Sequence, residues 1–135
     1  MIRVLIVDDH QVLRLGLRAI VDAQADLETC GVAADGETAI PLALELEPDV
    51  VIMDLSMPGM GGIEAIRAIL ADRPSTRVLV LSWHADRDHV RSAMAAGARG
   101  YLLKGDESQR IVEAVRAVHR GEDRLSAGLA RHLVP

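Results

Sequence analysis

Asp8, Asp9, Asp54, Ser82 and Lys104 are the residues of this chain whose types and spacing could do chemistry together. Each stands at, or just past, the C-terminal end of a short apolar run: IRVLIV leads into Asp8 and Asp9, VVIM into Asp54, RVLVL into Ser82 and GYLL into Lys104. Such runs, separated by helical stretches, read as buried parallel strands, and in parallel sheets sites assemble beyond the carboxyl ends of the strands. Three carboxylates in one cleft repel each other and hold their charge only beside a cation. An all-oxygen cluster suits a hard ion such as Mg²⁺. A lysine and a hydroxyl next to it suit a phosphoryl group. The five residues together point to a phosphate-handling site with a metal. Singly, each has a plainer explanation: Asp8 and Asp9 as helix caps, Asp54 as a turn former, Ser82 as a common residue after a strand, Lys104 as a solvated cation. Their joint appearance at four strand ends favours the site.

The elements that must position these residues alternate along the chain. After the first strand, Val12, Leu13, Gly16, Leu17, Ile20 and Val21 recur at helical spacing. LETCGVA reads as a second strand, and Asp35-Gly36 opens a helix to about Glu47, stopped by Pro48-Asp49. VVIM is the third strand. Ile63, Ile66, Ile69 and Leu70 mark one face of the following helix. RVLVL is the fourth strand, after which Asp86 caps a helix carrying Val90, Ala93 and Met94 and ended by Gly97. GYLL is the fifth strand, before a last helix with Ile111, Val115 and Val118 on one side. Five such units predict an α/β fold, a doubly wound five-stranded parallel sheet of order 2-1-3-4-5, flavodoxin-like. From Gly121 the pattern stops: GEDRLSAGLARHLVP has room for one short helix after Ser126 and reads as a linker or tail. The expected division is a domain over 1–120 and a tail over 121–135.

Composition narrows the function classes. The chain has 135 residues, half of them hydrophobic, enough for one domain with a substantial core. That core must be aliphatic, since Phe is absent and Trp83 and Tyr101 are the only aromatic residues. A net charge of −5 lacks the basic footprint that dominates DNA affinity, so no nucleic-acid binding is expected of this chain alone. The single cysteine, Cys30, excludes an internal disulfide and fits a reducing compartment. The first strand begins at Ile2, leaving no room for a signal peptide, and no apolar run approaches the roughly 18 residues of a membrane span. A cytoplasmic location is expected. The five histidines show no metal-ligand spacing and read as surface or capping residues; Gly59-Met60-Gly61-Gly62 matches neither a P-loop nor a dinucleotide fingerprint.

VLIVDDH, PDVVIMDLSMPGMGG, VLVLSWH and GARGYLLKGD, in this order and spacing, closely resemble the receiver domain of two-component response regulators. VDDHQVLRLGLRAI and GYLLK look most like the NarL/FixJ subfamily, whose members usually carry a C-terminal LuxR-type DNA-binding domain. The resemblance implies that Asp54 is the phosphoacceptor, taking a phosphoryl group from the phosphohistidine of a sensor kinase. It implies that Asp9, Asp54 and the backbone carbonyl of Ser56 ligate Mg²⁺, with Asp8 helping through water. It further implies that Lys104 pairs with the phosphoryl oxygens, that Ser82 swings in to hydrogen-bond one of them, and that Tyr101 is an aromatic switch turning inward as Ser82 moves. Such a protein is not an enzyme toward other substrates, forms a homodimer on phosphorylation, here expected around the fourth helix, fifth strand and last helix, and regulates transcription through a separate output domain, toward which the Gly121–Pro135 tail would lead.

Three departures from the usual receiver pattern stand out. Pro41 falls inside the second helix, where proline costs on the order of 3 kcal/mol, so that helix is expected to kink or start late. Gly105 follows Lys104 where many receivers have proline, so the cis peptide often found there is not expected. Trp83, directly after Ser82, is bulky enough to crowd the site and to shield an acyl phosphate from water. The alternative function is a small phosphatase using an aspartyl-phosphate on a related sheet. Such enzymes usually need an acid two positions after the nucleophile, and Ser56 stands there instead.

Overall fold

The computed structural model describes residues 1–134. Six strands and five α-helices alternate: β1 (Ile2–Val7), α1 (Gln11–Asp22), β2 (Leu27–Ala33), α2 (Gly36–Leu46), β3 (Val50–Met53), α3 (Gly62–Asp72), β4 (Arg77–Ser82), α4 (Arg87–Ala96), β5 (Gly100–Leu103), α5 (Ser108–His119), β6 (Arg124–Leu125), then a 3-10 helix at Leu129–Leu133. All strand pairs are parallel, in the order β2-β1-β3-β4-β5-β6. The predicted 2-1-3-4-5 order is present, and β6 extends it by one.

The two-residue period of the strands sends side chains into two cores. Leu5, Val7, Val51, Met53, Val78 and Val80 face α2, α3 and α4. Val4, Ile6, Val50, Ile52, Leu79 and Leu81 face α1 and α5. Both faces of the central strands are thereby covered, which is why those strands are continuous apolar runs. Predicted caps are in place: Asp35 accepts from Thr38 N at 2.7 Å and Asp86 from His89 N at 3.2 Å. Gly97, at φ +114°, ends α4 in a left-handed conformation that suits glycine.

The structure corrects several expectations. α2 begins at Gly36 and runs unbroken through Pro41. Pro41 and Glu37 lie on the exposed face, so the carbonyl that loses its partner is left to water. Val12, assigned by spacing to the apolar face of α1, is 83% exposed, while Leu17 and Val21 supply the buried contacts. Residues after Gly121 do not trail away from the domain. β6 pairs with β5, Gly100 opposite Arg124 and Tyr101 opposite Leu125, and Leu129 is buried against the α4 side of the sheet. A two-residue strand is too short to leave a periodic signature. Among the described residues every peptide bond is trans, including that between Lys104 and Gly105.

Candidate functional site

Strand register brings the chemical residues together. Val7 of β1 is level with Met53 of β3, so Asp8 and Asp54 leave adjacent strands side by side. Backbone bonds hold both exits, Asp54 N donating to Val7 O at 2.9 Å and Asp8 N to Ala33 O at 3.1 Å. Ser82 is level with Leu103, and Lys104 N donates to Ser82 O at 2.9 Å. Lys104 then reaches back across β4. Its Nζ lies 3.0 Å from Asp8 Oδ2 and 3.2 Å from Asp54 Oδ1, with all three side chains almost wholly buried. Asp8 does not cap α1: its Oδ1 accepts from His10 N at 2.8 Å, and His10, the N-cap, makes no side-chain cap. Asp9 is more open, 30% exposed at the rim, with His10 Nδ1 at 3.7 Å.

Asp54 is the electrostatically unsettled member. Burial, then the Asp8 charge, pushes its carboxyl up to about 6, while Lys104 pulls the other way. Oδ1 is engaged by Lys104 and by Ser56 N at 3.3 Å, whereas the buried Oδ2 has no hydrogen-bond partner. A buried carboxylate oxygen without a partner is costly unless something binds it. Three carboxylates against one ammonium also leave two negative charges when all are ionised. The donors at hand are carboxylate oxygens, a set that fits a hard divalent cation.

Ser82 is buried at the end of β4, and its Oγ accepts from His84 N at 3.0 Å. Tyr101 is fully buried, its hydroxyl donating to His84 O at 2.7 Å. The expected inward position of Tyr101 is therefore already occupied in this conformation. His84 also closes the mouth of the site, with Nε2 2.9 Å from Ser56 Oγ and its ring stacked on that of His89. Trp83 points elsewhere. It is 67% exposed and lines a groove between α1 and α5 with Val12, Leu13 and Ile111.

The profile of the response regulator receiver domain matches residues 4–116. The chain belongs to the response regulator receiver family. It is 45% identical over 130 residues to the transcriptional regulatory protein LiaR of Bacillus subtilis, covering 96% of this chain and 62% of LiaR. It is 40% identical over 133 residues to the response regulator GacA of Pseudomonas aeruginosa, covering 98% of this chain and 62% of GacA. The crystal structure of a LuxR-family two-component response regulator from Aurantimonas superposes with a TM-score of 0.92 at 34% identity, covering 97% of this chain and 94% of that one. The LuxR label agrees with the NarL/FixJ resemblance. The receiver thus spans about three fifths of the length of the curated relatives it matches. These relatives are named as regulators, not as phosphatases.

Two residues that matter to this receiver site escaped the sequence reading. His84 looked like a surface residue, because a loop carries no periodicity from which to infer direction. Gly62 opens α3 against the backbone of Asp54, where an added Cβ would collide with the Asp54 carbonyl oxygen. The glycine-rich GMGG stretch was the available signal for it.

Proposed function

We propose that this receiver accepts a phosphoryl group on Asp54 from the phosphohistidine of a sensor kinase and switches conformation to control an output. The observation that carries the reading is the buried, unpartnered Oδ2 of Asp54 beside Lys104. With a pKa of about 6, Asp54 is mostly ionised near neutral pH and holds a lone pair for attack. Oδ2 bonds to phosphorus as the phosphorus–nitrogen bond to the kinase imidazole breaks, and the departing nitrogen keeps that electron pair. Lys104 leaves its carboxylate partners to pair with the phosphoryl oxygens, and the Ser82 hydroxyl donates to one of them. Asp9, Asp54 and the Ser56 carbonyl would hold Mg²⁺, with Asp8 acting through water; the ion supplies positive charge opposite the phosphoryl oxygens. The chain's part is positioning and charge, and it turns over no other substrate.

The parent regulator, on this reading, is cytoplasmic and controls transcription through a separate DNA-binding output segment. The −5 charge of the receiver argues against its touching DNA itself. No described helix is long and apolar enough to cross a membrane. The apolar groove between α1 and α5, opening beside Lys104, suits contact with a helical partner such as the kinase. Treatment with acetyl phosphate and Mg²⁺ should add a single phosphoryl group by intact mass, and Asp54→Ala should abolish it. Labelling that survives in the variant would overturn the assignment.

A further inference from the structure

We propose that His84, Asp86 and His89 form a second metal site, which takes a divalent transition ion such as Zn²⁺. A ligand atom from each of the three lies within 4.8 Å of the other two. His89 Nδ1 is 2.8 Å from both Asp86 carboxylate oxygens, and the His84 ring stands over that of His89 with centroids 4.0 Å apart. Two imidazoles and a carboxylate suit an ion of the zinc type, whereas carboxylates alone suit Mg²⁺. The cluster around Asp54 and this one therefore differ in kind. They stand on opposite sides of Ser56, whose Oγ is 2.9 Å from His84 Nε2 and whose N–H reaches Asp54 Oδ1 at 3.3 Å. The inference does not depend on phosphoryl transfer to Asp54. Spacing along the chain conceals the site, because His84 lies in the loop before α4 and shares no helical face with His89.

The backbone beneath the three ligands is already fixed. His84 N donates to Ser82 Oγ at 3.0 Å, and His84 O accepts from the Tyr101 hydroxyl at 2.7 Å. Asp86 is the N-cap of α4 and accepts from His89 N at 3.2 Å, which ties the second ligand to the third. The Ser56 hydroxyl gives the His84 ring an outer partner of the kind that orients metal-bound imidazoles. Rings 3° from parallel cannot both aim their in-plane lone pairs at one ion, so one of them must turn out of the stack. The side chains of His89 and Asp86 are 43% and 52% exposed, so the turn needs side-chain torsions only. A cleft of about 260 Å³, lined by Ile63, Asp88, His89 and Ser92, leaves room for a water as fourth ligand.

The experiment titrates Zn²⁺ into the whole 135-residue chain by calorimetry, with millimolar Mg²⁺ present throughout to occupy the acidic cluster. The unaltered chain should bind zinc under these conditions. His89→Ala and Asp86→Asn should each weaken that binding at least tenfold, since losing even an outer partner of a metal ligand costs about ten- to a hundredfold. Asparagine still caps a helix, so Asp86→Asn removes the charge and leaves α4 started. His10→Ala alters the other cluster that contains an imidazole, Asp8, Asp9 and His10, and should leave the affinity unchanged. Equal affinity in the unaltered chain, His89→Ala and Asp86→Asn overturns the proposal, as does zinc binding that is absent or that His10→Ala abolishes. A second measurement needs no variant: on adding zinc, the ring resonances of His84 and His89 should shift while that of His119 stays in place. Shifts confined to the other histidines overturn the proposal as well.

Discussion

Asp54 carries a burden that is measurable without any ligand. Its carboxyl titrates at about 6 in the folded chain, above the roughly 3.9 of an unfolded aspartate. The native state therefore keeps a proton that the unfolded chain has already lost between those values. The resulting stability is fully present below about pH 4, is lost as pH rises through about 6, and amounts to at most about 3 kcal/mol. In urea titrations without divalent ions, Asp54→Asn should lack this decline and be the more stable protein at pH 7.5. Superimposable pH profiles would mean that the carboxyl is not shifted. His84 and Trp83 make a second residue-scale pair. His84 spans the mouth of the site to Ser56, whereas Trp83 faces the α1–α5 groove. His84→Ala should therefore shorten the lifetime of phosphorylated Asp54 severalfold by admitting water, and Trp83→Ala should leave it unchanged. The opposite ranking would restore the shielding role expected of the tryptophan from its bulk.

Among the elements, the junction of β3 with α3 is the least forgiving. Gly62 packs against the Asp54 carbonyl and Leu55 Cα, leaving no space for a side chain. Gly62→Ala must push the start of α3 away from the strand that carries Asp54. We expect a loss of about 2 kcal/mol or more in chemical denaturation, in the range of overpacked cores, together with slower labelling by acetyl phosphate. A variant with unaltered stability and labelling would show that α3 adjusts freely. α2 illustrates the converse. Its interior Pro41 is tolerated because the lost hydrogen bond falls on the water-facing side, while Ala39 and Ala43 keep the buried contacts.

For the whole molecule, the distribution of apolar surface redirects where association should occur. The face around α4 and β5, expected from the resemblance to mediate dimers, is partly covered by β6 and the 3-10 helix. The α1 side instead leaves Val12, Leu15 and Trp83 open to solvent. Clustered exposed apolar residues are a common mark of an interaction surface. With beryllofluoride bound, sedimentation should detect a dimer that Val12→Glu weakens at least tenfold. A dimer indifferent to Val12→Glu would place the contact elsewhere.

The sequence by itself determined the order of elements and which polar residues follow the strands. Continuous apolar runs between helical periods imply buried parallel strands, and the polar residue after each run must emerge at one edge. Asp8, Asp54, Ser82 and Lys104 were legible for that reason. What the tertiary structure alone decided concerns direction and long-range pairing. No local pattern says that Lys104 bridges Asp8 and Asp54, that Asp54 Oδ2 lacks a partner, or that His84 and not Trp83 closes the mouth. Nor could a two-residue strand announce that the tail returns to the sheet. Those outcomes depend on how residues distant in the chain share space, desolvation and hydrogen-bond partners, and such sharing exists only once the chain has folded.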